Sequence, residues 1–277
     1  MDIDVLGTLA VRLNGVSITP TAPKPRQVLA LLALQAGQVV PVGALTEELW
    51  GSKPPRSARA TLQTYILQLR ELIGAALETG TGEDAGQRRP AKDVLMTVPG
   101  GYLLKSGDGV IDVREFERLA GSGYRAMDAE DYPQAARLLR QALTLWTGPA
   151  LADVQAGPQL QTEARRLEES RLCALDQRVE ADLRLGRHRE LLAELTVLVN
   201  RYPTHESLCG QYMLALYRSG RRGEALDAYQ RLRATLVRTM GLEPSPALAK
   251  LQRSVLMSGP DTLPARPAAR AAVAPVG

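Results

Sequence analysis

Thr61-Leu62-Gln63-Thr64-Tyr65-Ile66-Leu67-Gln68-Leu69-Arg70, with Thr97-Val98-Pro99-Gly100-Gly101-Tyr102 downstream, decides how the first hundred residues fold. Wound as a helix over about Arg56–Ile73, the first stretch has two faces. Ala58, Leu62, Tyr65, Ile66, Leu69, Leu72 and Ile73 share an apolar arc at helical spacing, which marks a buried side. The opposite arc holds Arg56, Ala60, Gln63, Thr64, Leu67 and Glu71, with Arg59 and Arg70 at its edge. The second stretch reads as strand, turn, strand around Pro99-Gly100-Gly101.

Working outward, Ile3–Leu13 is β-prone and Asn14-Gly15 is a strong hairpin turn signal. Pro20, Pro23 and Pro25 lead into a helix over Arg26–Gln35 that Gly37 ends. Val39-Val40-Pro41 is expected as a short extended link, and Val42–Trp50 as a second helix stopped by Gly51 before the stiff Pro54-Pro55 turn. Gly74–Lys92 is expected to be a loop. A sheet, three helices and a closing hairpin make the order of a winged helix-turn-helix, whose third helix enters a major groove while the hairpin flanks it.

Composition narrows the function classes. The chain has 277 residues and a net charge of +4, with 4% aromatics and one Phe, which disfavours base-stacking sheets. Residues 1–105 carry eleven basic and nine acidic side chains, so neither half is a basic domain. Lys53–Arg70, however, contains Lys53, Arg56, Arg59 and Arg70 and no acid. Gln, Thr and Arg are the side chains that read base edges and phosphates. Gln63 suits adenine, Arg56 or Arg59 guanine or phosphate, and Gln68 and Arg70, toward the edge of the arc, phosphate. Lys53 adds positive charge just before the helix. Arg88, Arg89 and Lys92 precede the wing strands and are expected near the flanking backbone.

Catalytic and metal chemistry find no start. No phosphate-binding loop, His-Glu-x-x-His or Gly-x-Ser-x-Gly motif is present, so no enzyme activity and no cofactor or metal are expected. His188 and His205 are expected at turns or helix starts. Cys173 and Cys209 are expected as small buried side chains, and Trp50 and Trp146 as core anchors. Arg221, Arg222, Arg231 and Arg233 are solvated or contact a partner. The longest apolar run, Val28–Leu34, is far short of the ~20 residues a span requires, so a cytoplasmic, membrane-free protein is expected.

From Asp112 onward the pattern is helical. Asp131-Tyr132-Pro133-Gln134-Ala135, Gly186-Arg187-His188-Arg189-Glu190-Leu191 and Gly220-Arg221-Arg222-Gly223-Glu224-Ala225 repeat a turn before an apolar residue. Ala225 follows Leu191 by 34 residues, the tetratricopeptide period. The first unit is set apart by an insertion around Trp146–Leu151 and Gly157-Pro158, before a long helix over Gln159–Leu185.

Two stretches of motifs carry a resemblance. Thr61–Arg70, Thr97–Tyr102 and Leu49-Trp50-Gly51 before Pro54-Pro55 resemble the OmpR-type winged helix, in the version found in the Streptomyces antibiotic regulatory protein (SARP) family. Leu143–Leu151, Leu183–His188, Met213–Arg221 and Gly241-Leu242-Glu243-Pro244 resemble the bacterial transcriptional activation domain that follows it there. The resemblance implies a mainly α fold with a small β component, an OmpR-type winged helix followed by an all-α tetratricopeptide-like domain. The expected divisions are a DNA-binding domain over 1–105, an activation domain over 112–257 and a Pro/Ala-rich tail or linker over 258–277. It also implies an activator of antibiotic or other secondary-metabolite genes that binds tandem direct repeats of double-stranded DNA near the −35 element. Two copies would sit side by side and recruit RNA polymerase holoenzyme, sigma factor included. No receiver domain precedes the winged helix, so control by aspartyl phosphorylation is not expected. The competing class is a partner- or peptide-sensing adaptor docked on DNA without activating by itself.

Overall fold

The computed structural model describes residues 1–79 and 90–257. Strand β1 (Asp2–Asp4) pairs antiparallel with β2 (Ala10–Leu13), Ile3 opposite Val11. β2 turns into β3 (Val16–Ser17) through Asn14 and Gly15, whose φ values of 52° and 79° are those of a two-residue type I′ hairpin turn. Helix α1 (Pro23–Leu34) begins with Pro23 and Pro25, where a missing N–H costs nothing. It buries every residue from Gln27 to Ala33, apolar almost all round, and so forms the centre of this part of the molecule.

Val39–Pro41, expected as a mere link, is a strand. β4 (Val39–Pro41) pairs antiparallel with the last strand of the wing, giving a three-stranded sheet of order β4-β6-β5. Three residues ending in proline are too few to show a period, which is why the sequence does not announce the pairing. Helix α2 (Val42–Trp50) stops at Gly51. Helix α3 (Ala58–Thr79) starts two residues later than expected and runs six residues further, because Ala76 continues its buried face beyond Gly74. After α4 (Ala91–Val94), strands β5 (Leu95–Val98) and β6 (Gly101–Leu104) are joined by Pro99 and Gly100. Gly100 has φ 82°, the conformation that position i+2 of a type II turn demands.

The remaining helices are α5 (Asp112–Asp128), α6 (Tyr132–Thr144), α7 (Pro158–Arg184), α8 (His188–Arg201), α9 (Glu206–Arg218), α10 (Arg222–Met240) and α11 (Pro246–Met257). None of the helices described is long and apolar enough to cross a membrane. The chain divides into two compact units. One comprises Met1–Arg118 and Ala142–Leu172, the other Leu119–Gln141 and, among the described residues, the chain from Cys173 to Met257.

In the second unit the 34-residue repeat has a visible cause. The N–H of Arg187 donates to Asp182 O at 3.0 Å past Gly186, and Arg221 N–H donates to Leu216 O at 2.9 Å past Gly220. Both glycines have positive φ, so α7 and α9 end in the same left-handed cap. Asp131 N–H to Ala126 O repeats it past Glu130, at φ 58°. Gln211 Nε2 donates to Asp176 O at 2.9 Å and Arg218 Nη1 to Leu183 O at 3.0 Å, each bond joining residues 35 apart. Equal offsets make α7 and α9 run parallel, one repeat apart. Asp182, almost fully buried, is held by Arg140, Arg178 and Arg187 at 3.0, 3.3 and 2.8 Å. His188 opens α8, and His205 caps α9 by accepting the Leu208 N–H at Nδ1. Cys209 is buried and its thiol is pushed up to about 12 by that burial, but Cys173 is exposed, contrary to expectation, because its position on α7 turns outward.

Candidate nucleic-acid interface

Helix α3 buries Ala58, Leu62, Ile66, Leu69, Ile73 and Ala76 against its own unit. That packing fixes which side chains point outward. Arg59, Gln63, Thr64 and Gln68 are exposed, and Lys53 and Arg56 are exposed in the turn leading into the helix. Successive residues are offset by about 100°, which puts Gln63, Leu67 and Thr64 along the middle of the outer face, with Arg59 and Gln68 on opposite flanks. Leu67 is 57% exposed in the middle of this face, and Glu71 is exposed one turn further on. Thr64 Oγ1 donates back to Ala60 O at 3.2 Å, leaving its lone pairs outward.

Arg70 behaves differently from the free phosphate ligand the sequence suggests. Its guanidinium donates through Nε and Nη2 to Leu95 O at 3.0 and 2.8 Å, and through Nη2 to Thr97 Oγ1 at 2.8 Å. Both acceptors belong to β5. The side chain therefore clamps the wing hairpin to α3 and sets the spacing between the two. Its partner Thr97 is not legible as a site residue, since nothing in a strand sequence says which hydroxyl a distant arginine will find. Lys92 is exposed on α4, which packs beside α3. Arg88 and Arg89 lie outside the described residues.

A second group missed by the sequence joins α2 to the start of α7. Glu48 on α2 is 2% exposed, and its carboxylate accepts the N–H of Gly157 at 2.5 Å and of Leu160 at 3.0 Å, besides Gln27 Nε2 at 2.7 Å. It thus caps the start of α7, where an anion faces the positive end of the helix. A Cβ on Gly157 would collide with the Glu48 carbonyl, so the close approach requires glycine. Thr147, Leu151 and Ala152 donate their N–H groups to the carbonyls of Leu6, Val5 and Gly7 at 2.8, 2.9 and 2.9 Å. Asp153 accepts Leu9 N–H at 2.8 Å and pairs with Arg26. Trp146 is buried edge-on against Phe116 with Arg171 over its ring, and so is the core anchor expected of it. No cluster of metal-ligating side chains occurs among the described residues.

The assembled features are a helix whose outer face is largely polar and carries no acid before Glu71, a wing clamped beside it and a tetratricopeptide-like helical array. The same combination emerges from comparison with known proteins. Residues 17–81 match the model of the transcriptional regulatory protein C-terminal domain, and residues 111–256 match the bacterial transcriptional activator domain. The regulatory protein DnrI of Streptomyces peucetius is 54% identical over 94% of this chain and 93% of its own. The chain belongs to the SARP family of transcriptional activators. This SARP chain is also 37% identical to the regulatory protein AfsR of Streptomyces coelicolor, over 92% of its own length but 24% of that longer protein. Among solved structures, Mycobacterium tuberculosis EmbR in complex with a low-affinity phosphopeptide superposes with a TM-score of 0.81. It is 33% identical, over 92% of this chain and 64% of that one. The family members are transcriptional regulators, not enzymes.

Proposed function

We propose that this activator binds tandem direct repeats near the −35 element of promoters for antibiotic or other secondary-metabolite genes, and recruits RNA polymerase holoenzyme through contacts that include sigma factor. Residues 1–105 supply recognition, 112–257 the activating surface, and 258–277 a tail or linker. α3 lies in the major groove and the wing along the flanking backbone, in the cytoplasm and on the nucleoid. The observation that carries this is the outer face of α3 and the turn before it, where Arg56, Arg59, Gln63, Thr64 and Gln68 stand exposed with no acid before Glu71.

Gln63 and Thr64 read base edges from the middle of the face. Lys53, Arg56, Arg59, Gln68 and Lys92 hold phosphates. Arg70 aligns the wing, and Arg88 and Arg89 extend the contact along the flanking strand. A gel-shift titration of Gln63→Ala against direct-repeat and scrambled DNA is expected to show discrimination falling by about 1–3 kcal/mol, the worth of one bidentate base contact. Unchanged discrimination removes Gln63 from the readout. Arg59→Ala is expected to weaken binding to both DNAs alike and to flatten the salt dependence, because a lost phosphate contact releases fewer counterions.

Two copies on direct repeats meet on one face of the duplex only when the repeats are about a helical turn apart. Inserting about five base pairs between them turns the second site to the opposite side, so cooperative binding should collapse. Indifference to the insertion removes the side-by-side arrangement. In vitro transcription with purified polymerase separates activation from an adaptor role: a rise in transcript without a further factor is the expected outcome.

A further inference from the structure

Helices α8 and α10 each leave one face uncovered in the second unit. On α8, Glu190, Ala193, Glu194 and Val197 recur at i, i+3, i+4 and i+7 and all are exposed, Val197 to 65%. On α10, Gln230, Arg233, Ala234 and Val237 fall at the same four spacings, also exposed, with Arg238 beside them lining a shallow open groove. Val237 is 46% exposed, and Met240 and Leu242 extend its apolar surface. The other sides of both helices are buried through Leu191, Leu195 and Leu198 on α8, and through Ala225, Ala228, Tyr229, Leu232 and Leu236 on α10.

Laid side by side, the stripes complement one another slot for slot. Alanine on α8 stands where α10 has Arg233, and alanine on α10 stands where α8 has Glu194. Each stripe carries valine in its last slot. Arg233 already pairs with Glu243, and Glu194 with Arg178, so the charges left to steer a partner are Glu190 on α8 and Arg238 on α10. Neither has an ion-pair partner among the described residues. Residues Ala228–Met240 contain Arg231, Arg233 and Arg238 and no acid. Two α8 faces would oppose acid to acid and two α10 faces base to base, so self-pairing is disfavoured and the complementary pairing is heterologous.

We propose that α8 of one copy docks on α10 of a second copy of this chain, through Ala193 and Val197 against Ala234 and Val237, steered by Glu190 and Arg238. This rests on the reading that two copies act together. Such a head-to-tail contact suits sites that point the same way, where each copy offers one face to the copy ahead and the other to the copy behind.

Sedimentation velocity of the full chain without DNA tests it, and the gel shift on α3 can fail or succeed separately. The wild-type coefficient is expected to rise with concentration. Glu190→Lys with Val197→Lys, or Val237→Glu with Arg238→Glu, should each raise the association midpoint at least about tenfold, equivalent to about 1.4 kcal/mol. An equimolar mixture of the two variants should restore association, because an intact α8 face then meets an intact α10 face and the altered faces match as well. In a Cys173→Ser background, mixing an Ala193→Cys chain with an Ala234→Cys chain should give an oxidised dimer faster than either chain alone. A wild type that stays monomeric, variants that associate as it does, or a mixture no better than its parts would overturn the proposal.

Discussion

Arg70 shows how far one side chain can be misread from sequence. On a helical wheel it is an outward arginine beside a DNA-facing arc. In three dimensions the neighbouring β5 strand offers a carbonyl and a hydroxyl, and the planar guanidinium fork fits both. Lysine cannot reproduce that fork, since it offers a point charge in place of fixed planar donors. Arg70→Lys is therefore expected to keep the positive charge but release the wing. The predicted signature is faster hydrogen exchange in Leu95–Val98 and weaker binding to specific DNA, with non-specific binding nearly unchanged. Were Arg70 a plain phosphate ligand, lysine would substitute for it with little loss and exchange in β5 would not move. The same lesson holds for Glu48: its position beside Leu45 and Leu49 marks it as inward-facing, but its acceptor role depends on backbone more than a hundred residues away.

At the scale of elements, the sequence declares what local physics decides. Asn14-Gly15, Pro23 at a helix start, Gly51 as a stop and Pro99-Gly100 in the wing turn are all legible because each fixes its own backbone. The repeated caps at Gly186 and Gly220 made the 34-residue period readable for the same reason. Strand β4 was not legible, because its identity comes from β6 rather than from Val39-Val40-Pro41 itself. Gly101 records that pairing: a Cβ there would run into the Val40 carbonyl, whereas one on Gly100 meets open space. The two glycines should then respond differently. Gly100→Asn, which tolerates positive φ, is expected to cost less than about 1 kcal/mol. Gly101→Ala must push β4 off β6, and an expected loss of about 2 kcal/mol or more corresponds to overpacking plus broken ladder bonds. Urea melts of the two variants give the comparison; equal midpoints would mean the wing sheet yields without cost.

The whole first unit is not built from a continuous piece of chain. Met1–Arg118 packs with Ala142–Leu172, and the bonds between them fall on the Val5–Leu9 connection between β1 and β2, on Arg26 of α1, on α2 and on Glu117 of α5. Asp112 accepts the N–H groups of Val5 and Leu6 at 2.7 and 2.8 Å, Asp153 accepts Leu9 N–H, and Ile111 makes a parallel bridge to Ile3. Burial raises the Asp112 carboxyl above its usual value, opposed by the Leu6, Val5 and Val113 N–H groups. A carboxyl raised by folding adds stability that is complete below its unfolded pKa and lost as pH rises through the folded one, so acid alone should not open this contact. Cutting the chain should. A fragment of residues 1–105 keeps every element of the winged helix but leaves four backbone donors, at Ile3, Val5, Leu6 and Leu9, without their acceptors, and Glu48 without two of its donors. At about 1–3 kcal/mol for each orphaned buried donor, the loss is comparable with the ~5–15 kcal/mol that holds an ordinary domain together. The fragment is expected to melt well below the full chain and to lose exchange protection first over Val5–Leu9. In the full chain Glu48→Ala should reproduce a milder version, because it orphans Gly157 and Leu160 but leaves the sheet's partners in place. A fragment melting within a few degrees of the full chain would show that the winged helix stands without the returning segment, and that Glu48 and Asp112 fasten a module already stable by itself.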